Sequence, residues 1–385
     1  MDAELQRVFD LCARKGASFY DTGDSYGTGR LEGRSEELLG RFYRELDDPR
    51  ARRGVILATK LAAYPTRESP RGSAADALGP DDAVRPVRAR PPPSPSGVTR
   101  GSMVRACEAS LRRMGRESME MGQLHWSTAN YAPWQERPMW DGLGDCRERG
   151  LIADIGVSNY GPRQIVKVQR RLAERGLAVA TAQVQFSLLS NTPLQRELKA
   201  VCDDLGIALI AYSPLGLGML SGKYGAGDAV PEGRLRRFLF PQILGGIGPL
   251  LRELEAVAAA RRKTMAQVAV NWCIAKDTIP IVGARTLAQA EENLGALGWL
   301  LSDAEVDALD RAAAACTAAM TQNAFQVRKP RRVGTPPLPP PGRTGSGADC
   351  RDAYTRASVQ VSELRRSISA RPRRGTPAPA RARPR

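Results

Sequence analysis

FYDTGDSYG, residues 19–27, joins two kinds of chain. ASFYDT reads as a short apolar strand, and the Asp, Gly and Ser residues after it give turn chemistry, with Tyr26 five residues beyond Asp21. Alone, the pair is compatible with an ordinary turn. The fold depends on whether other apolar runs end in the same way. Upstream, LQRVFDLCARKG places Leu5, Val8, Phe9 and Cys12 on one helical face, with Gly16 as a stop. Downstream, GVILATK (54–60) is a second strand, ending at Lys60. Ser102 is placed to cap a helix running to Met114, whose buried face is Val104, Cys107 and Leu111. MGQLHW, ADIGVSN, AVATAQVQF, IALIAYSP and TIPIVGA read as further strands. They are separated by a helix ending near Gly150, helices over 161–175 and 193–205, and a longer helical region over 247–276; two more helices follow the last strand.

Short apolar strands alternating with helices specify a parallel sheet buried on both faces. Seven such strands are expected, each with polar or glycine-rich residues at its C-terminal end. An open doubly wound sheet carries chemistry only at its switch point, whereas a barrel carries it at the end of nearly every strand. The pattern of polar exits predicts an α/β fold of the (β/α)8 TIM-barrel type. No G-x-G-x-x-G follows a strand, which argues against a Rossmann nucleotide site, and the glycine-rich GLGMLSG after AYSP is equally readable as a plain loop.

The totals agree with a soluble, intracellular globular protein: 385 residues of which 42% are apolar, no basic-then-apolar leader, and no apolar run near the roughly 18 residues of a membrane span. Seven scattered cysteines without a C-x-x-C pair predict reduced thiols and no metal cluster. The net charge of +16 is concentrated: residues 328–385 hold fifteen Lys or Arg against three acids, a surplus of twelve. Residues 65–100 and 328–385 are rich in Pro, Gly, Ser and Arg and are expected to be disordered. The domain reading is therefore a barrel over 1–327, interrupted by the insertion at 65–100, with a basic tail over 328–385. The tail has no interleaved aromatics beyond Tyr354, so it lacks stacking platforms for nucleic acid, and no nucleic-acid or membrane partner is expected.

The strand exits collect Asp21 with Tyr26, Lys60, His125, Ser158 with Asn159, Gln183, Tyr212 and Arg285. His125 is the only histidine. A lysine closing the apolar run VILATK needs a buried partner, and Asp21 is the natural one. A tyrosine holds its proton up to about pH 10. A neighbouring ammonium favours the phenolate and makes the proton easier to give, while a neutral imidazole can hold a substrate oxygen beside it. Asp, Tyr, Lys and His together make a proton-delivery site for an oxygen gaining negative charge, as carbonyl reduction requires.

These stretches resemble the aldo-keto reductase family: FYDTGDSYG its Asp and Tyr segment, ATK its lysine strand, QLHW its histidine strand, with IGVSN, QVQFSLL, AYSPLG and AEEN following in family order. The likeness extends through MTQNAFQ and covers most of residues 1–327. It implies reduction of a small-molecule aldehyde with NADPH. Tyr26 would then be the general acid, Lys60 and Asp21 would tune it, and His125 would orient the carbonyl. The resemblance assigns Ser158, Asn159 and Gln183 to the nicotinamide carboxamide and Tyr212 to its ring. Ser213, Leu215 and Gly216 fall to the pyrophosphate, and Arg285, Gln289 and Asn293 to the 2′-phosphate and adenine. The sequence departs from the family where it begins inside the expected first helix, so the opening strand is expected to be absent, and the insertion replaces a short loop beside the substrate site. An NADPH-binding, redox-sensing subunit with little turnover stands as the alternative, as does an inactive truncated reductase.

Overall fold

The structure, a computed structural model, describes residues 2–27, 33–61, 98–130, 132–224 and 234–320. The chain opens with α1 (Asp2–Arg14), β1 (Phe19–Gly23), α2 (Arg34–Glu45), α3 (Pro49–Gly54) and β2 (Ile56–Leu61). It continues through α4 (Arg100–Met114), β3 (Met119–Leu124), α5 (Glu136–Glu148), β4 (Ile152–Ser158), α6 (Pro162–Ala173) and β5 (Val179–Gln185). The last part comprises α7 (Pro193–Asp204), β6 (Ala208–Tyr212), α8 (Arg234–Leu244), α9 (Gly248–Arg261), α10 (Met265–Ala275), β7 (Ile279–Ile281), α11 (Leu287–Leu294) and α12 (Asp303–Ala314).

The seven strands pair in parallel and in sequence order, β1 to β7. Successive side chains of a strand point to opposite faces, and β2 shows both destinations. Ile56 and Ala58 pack with Met121 inside the curl of the sheet, against Phe19, Ala180 and Ile279. Leu57 instead joins Phe9, Ala13, Leu39, Phe42, Leu46 and Val55 in the layer between sheet and helices. Because Phe19 of β1 and Ile279 of β7 pack against the same inner cluster, the sheet is curled nearly into a ring. The ladder does not join β1 to β7, so the described residues form a (β/α)8-type barrel with one strand fewer.

Several local expectations shift. Thr99, not Ser102, caps α4: Thr99 Oγ1 accepts from the Ser102 amide at 3.1 Å while Ser102 Oγ accepts from the Thr99 amide at 2.9 Å, a reciprocal capping box. Val98, Thr99 and Arg100, which fall inside the expected insertion, are among the described residues, and Val98 is buried. The rest of the expected insertion and the whole basic tail lie outside the described residues, as does residue 327, where the barrel was expected to end. The helical region expected over 247–276 is two helices: Arg262 turns left-handed (φ 53°) at the end of α9, and Thr264 caps α10 by accepting from the Gln267 amide at 3.2 Å.

Candidate active site

The C-terminal end of the barrel collects the polar side chains that the inward alternation sends there. On β2, Lys60 is the next inward position after Ile56 and Ala58, and on β1 Asp21 follows Phe19. Their side chains are 3% and 9% exposed and form an ion pair through Lys60 Nζ and Asp21 Oδ2. Asp21 Oδ1 also accepts from Gln123 Nε2 at 3.0 Å and from Gln183 Nε2 at 2.8 Å. A buried carboxylate thus has three donors from three other strands, which is the satisfaction a charge needs in a low-dielectric lumen.

Tyr26 leans over this pair. Lys60 Nζ lies 4.8 Å from the centroid of the Tyr26 ring, and the Tyr26 hydroxyl is 3.3 Å from His125 Nε2. The two rings meet edge-on, centroids 5.4 Å apart, and Trp126 stacks on the other side of the imidazole at 4.3 Å. Burial, followed by the Lys60 charge, pushes the His125 imidazole well below its usual range, so it is neutral at pH 7. Burial lowers Lys60, but the charges and hydrogen bonds of Asp21 and Tyr26 outweigh it and leave the ammonium above its ordinary value. Tyr26 corrects the sequence expectation. Lys60 does act to lower it, but burial of the phenol is larger and, with Asp21 beside it, the net shift is upward. The Nδ1 atom of His125 is buried and has no hydrogen-bond partner among the described residues.

The next strand ends carry a second set. Ser158 and Asn159 close β4 and Gln183 stands beside them on β5, all buried. Asn159 adopts a left-handed backbone (φ 60°), and its side-chain amide donates to the His125 carbonyl and to Ser158 Oγ, both at 3.1 Å. The Tyr212 hydroxyl donates to Asn159 Oδ1 at 3.0 Å, tying the end of β6 to that of β4. Gln183, expected to meet a ligand, gives its amide to Asp21. Ser213 (φ 55°), Leu215 and Gly216 form the turn after β6, where the Gly216 amide donates to the Ser213 carbonyl at 2.9 Å. Arg285, Gln289 and Asn293 occupy a separate corner around α11. The Arg285 amide donates to Gln289 Oε1 at 2.8 Å, and Asn293 Nδ2 to the Gly283 carbonyl at 3.4 Å. The Arg285 side chain is exposed and makes no ion pair among the described residues.

This donor set suits a dinucleotide: a buried hydroxyl and amides fit a carboxamide, and an exposed guanidinium at a helix N-terminus fits a phosphate. Sequence reasoning passed over Gln123 and Trp126. Gln123 had a signal, because it sits two residues before His125 on an alternating strand and so faces the same way. Trp126 follows His125 directly, and nothing in the sequence says that the indole folds back onto the imidazole. Among the described residues no group of three or more His, Cys, Asp or Glu is placed to hold a metal ion.

The model of the Aldo/keto reductase family matches residues 1–314, and the chain belongs to that family of NADP(H)-dependent oxidoreductases. It is 47% identical over 329 residues to the chloroplastic pyridoxal reductase of Arabidopsis thaliana, covering 85% of this chain and 81% of that one. Over 308 residues it is 29% identical to L-glyceraldehyde 3-phosphate reductase of Escherichia coli, covering 77% and 79%. Two crystal structures share the fold at 21% identity: the thermostable aldo-keto reductase Tm1743 with the inhibitor epalrestat (TM-score 0.56, covering 81% of this chain and 88% of that one), and a Bombyx mori aldo-keto reductase with NADP (TM-score 0.54, 81% and 83%).

Proposed function

We propose that the protein reduces an aldehyde to an alcohol with NADPH, that its substrate is pyridoxal, giving pyridoxine, and that Tyr26 is the general acid. The observation that carries this reading is the 3.3 Å approach of the Tyr26 hydroxyl to His125 Nε2 above the Lys60–Asp21 pair. A single carbonyl oxygen can reach both polar atoms. NADPH, when bound, would supply a hydride for the carbonyl carbon, leaving the π electron pair on the carbonyl oxygen. Neutral His125 donates a hydrogen bond to that oxygen and holds it against Tyr26. Tyr26 transfers its proton to it, and the phenolate left behind is stabilised by the Lys60 ammonium, which Asp21 keeps charged in its buried position. Ser158, Asn159 and Gln183 would hold the carboxamide, with Tyr212 against the nicotinamide ring. Ser213, Leu215 and Gly216 would meet the pyrophosphate, and Arg285, Gln289 and Asn293 the adenosine end.

The substrate is drawn from the 47% identity to a protein named chloroplastic pyridoxal reductase. A chloroplast location is part of the same reading. The test is steady-state NADPH oxidation with pyridoxal in the parent and in Tyr26→Phe. The variant should lose at least about a hundredfold in kcat while NADPH still quenches tryptophan fluorescence as in the parent. A variant that turns over at the parental rate disproves the acid assignment. A parent that binds NADPH and reduces no aldehyde favours the redox-sensing alternative.

A further inference from the structure

The residues beside the proposed proton-handling groups point the other way, and one short piece of helix meets all of them. Thr22 follows Asp21 and Thr59 precedes Lys60, so alternation turns both threonines out of the lumen toward α2. They are 1% and 0% exposed. Thr22 Oγ1 donates to Ser35 Oγ at 2.8 Å, and Thr59 Oγ1 donates to Glu36 Oε1 at 2.5 Å. The Ser35 amide donates to the carbonyl of Tyr26 at 3.2 Å. Two consecutive residues in the first turn of α2 therefore grip the strand of Asp21, the strand of Lys60 and the backbone of Tyr26.

Glu36 is fully buried, and its other oxygen accepts from Arg113 Nε of α4 at 2.5 Å. A buried ion pair is poor evidence of stability, since desolvation offsets most of the attraction; what it supplies is a defined geometry. Two glycines show that this geometry is built closely. Gly33 is left-handed (φ 64°), and a Cβ there would stand 2.2 Å from Arg113 Nε, in the path of the guanidinium to Glu36. Gly27 has φ 105°, and a Cβ there would stand 2.6 Å from the Ser35 nitrogen, in the path of that amide to Tyr26.

We propose that Ser35 and Glu36 are positioning residues, an external bracket at the N-terminal turn of α2 that sets Asp21, Tyr26 and Lys60 relative to one another, with Arg113 anchoring it to α4. This rests on the assignment of Tyr26 as the acid. Placement matters at this scale because a shift of about 1 Å at a reacting group can cost about a hundredfold in rate.

The test compares Thr59→Val, which removes the hydroxyl from Glu36, with Thr59→Ser, which keeps it. Two readouts are taken on the full chain: kcat for pyridoxal reduction, and the ultraviolet tyrosinate titration of Tyr26, isolated by subtracting the curve of Tyr26→Phe. The groups facing Tyr26 are Lys60, Asp21, Asp24 and His125. Burial is the largest influence on its proton, so a loosened bracket that admits water lets Tyr26 titrate at lower pH than in the parent. Thr59→Val is expected to show that downward shift and a kcat lower by about tenfold, with NADPH affinity kept, and Thr59→Ser to behave as the parent. Parental titration and kcat in Thr59→Val overturn the bracket, as does an equal loss in Thr59→Ser. Should Thr59→Val not fold, Ser35→Ala, which removes only the acceptor of Thr22, is expected to shift the titration in the same direction, and a parental curve there overturns the proposal. Turnover by Tyr26→Phe removes the acid assignment, while the titration difference still decides whether the bracket positions Tyr26.

Discussion

Lys60 carries its charge inside the barrel, where an ammonium without a counter-ion would lose its proton. Asp21 prevents this, and the result is a fixed positive charge 4.8 Å from the Tyr26 ring. Of the influences on the Tyr26 proton, Lys60 is the one that lowers its pKa against burial and Asp21. Lys60→Met therefore moves Tyr26 further up, makes it a weaker acid, and shifts the alkaline limb of the kcat profile for reduction to higher pH. It also lowers kcat by about a hundredfold or more, measured by NADPH oxidation across pH. The partnership of Lys60 with Asp21 was legible in the sequence, because a lysine ending an apolar strand demands a carboxylate. The upward direction for Tyr26 was not, since the depth of the phenol is set by neighbours brought from other strands. The same holds for Gln183, whose amide is engaged by Asp21.

Among the elements, α1 was readable from its apolar face and from Gly16, which turns left-handed (φ 85°) just after it. Thr264 and Ser302 close the capping boxes that start α10 and α12, but the sequence reads 247–276 as one helical region and misses the break at Thr264. The helices passed over lack such signals. α2 starts on Gly33 without a side-chain cap, α3 has only six residues, and α8 holds Pro241 inside it, which reads as a break. α12 also shows how one side chain joins two elements. Glu305 closes its own cap by accepting from the Ser302 amide at 2.7 Å, and takes Arg261 Nε of α9 at 2.6 Å. Arg261 first, then the Ser302 contacts, hold the Glu305 carboxyl down from 4.5 to about 2. A carboxyl depressed on folding contributes stability that is present above its unfolded value and is lost as pH falls from 4.5 toward about 2. Glu305→Gln should therefore lower the urea midpoint at neutral pH, and the gap to the parent should close as pH approaches 2. A gap constant with pH contradicts the assignment.

At the scale of the whole molecule, the main core extends from Leu61 of β2 to Met320 beyond α12 and includes Trp272, the largest fully buried side chain among the described residues. Trp272 stacks on Phe186 with centroids 5.3 Å apart, and its indole N–H donates to Asp310 Oδ1 at 3.0 Å. Trp272→Ala removes the stack and takes one donor from a half-buried carboxylate that still pairs with Lys276. A loss of about 3–5 kcal/mol is expected, read from urea unfolding. The barrel class was legible because polar residues close nearly every strand. The meeting of β1 and β7 was not, since it depends on curvature that local periodicity does not carry. No described helix is long and apolar enough to cross a membrane.

Among the described residues, β1 has a hydrogen-bonded neighbour strand on one side only. What keeps it from peeling away lies partly across the lumen, where Asp21 is moored by Lys60 of β2, Gln123 of β3 and Gln183 of β5. The carboxylate proposed to tune the acid is thus also the tether of the strand that carries it. Asp21→Asn should quicken amide exchange along 19–23 more than along β3, so that a lesion made to probe chemistry first loosens the hull.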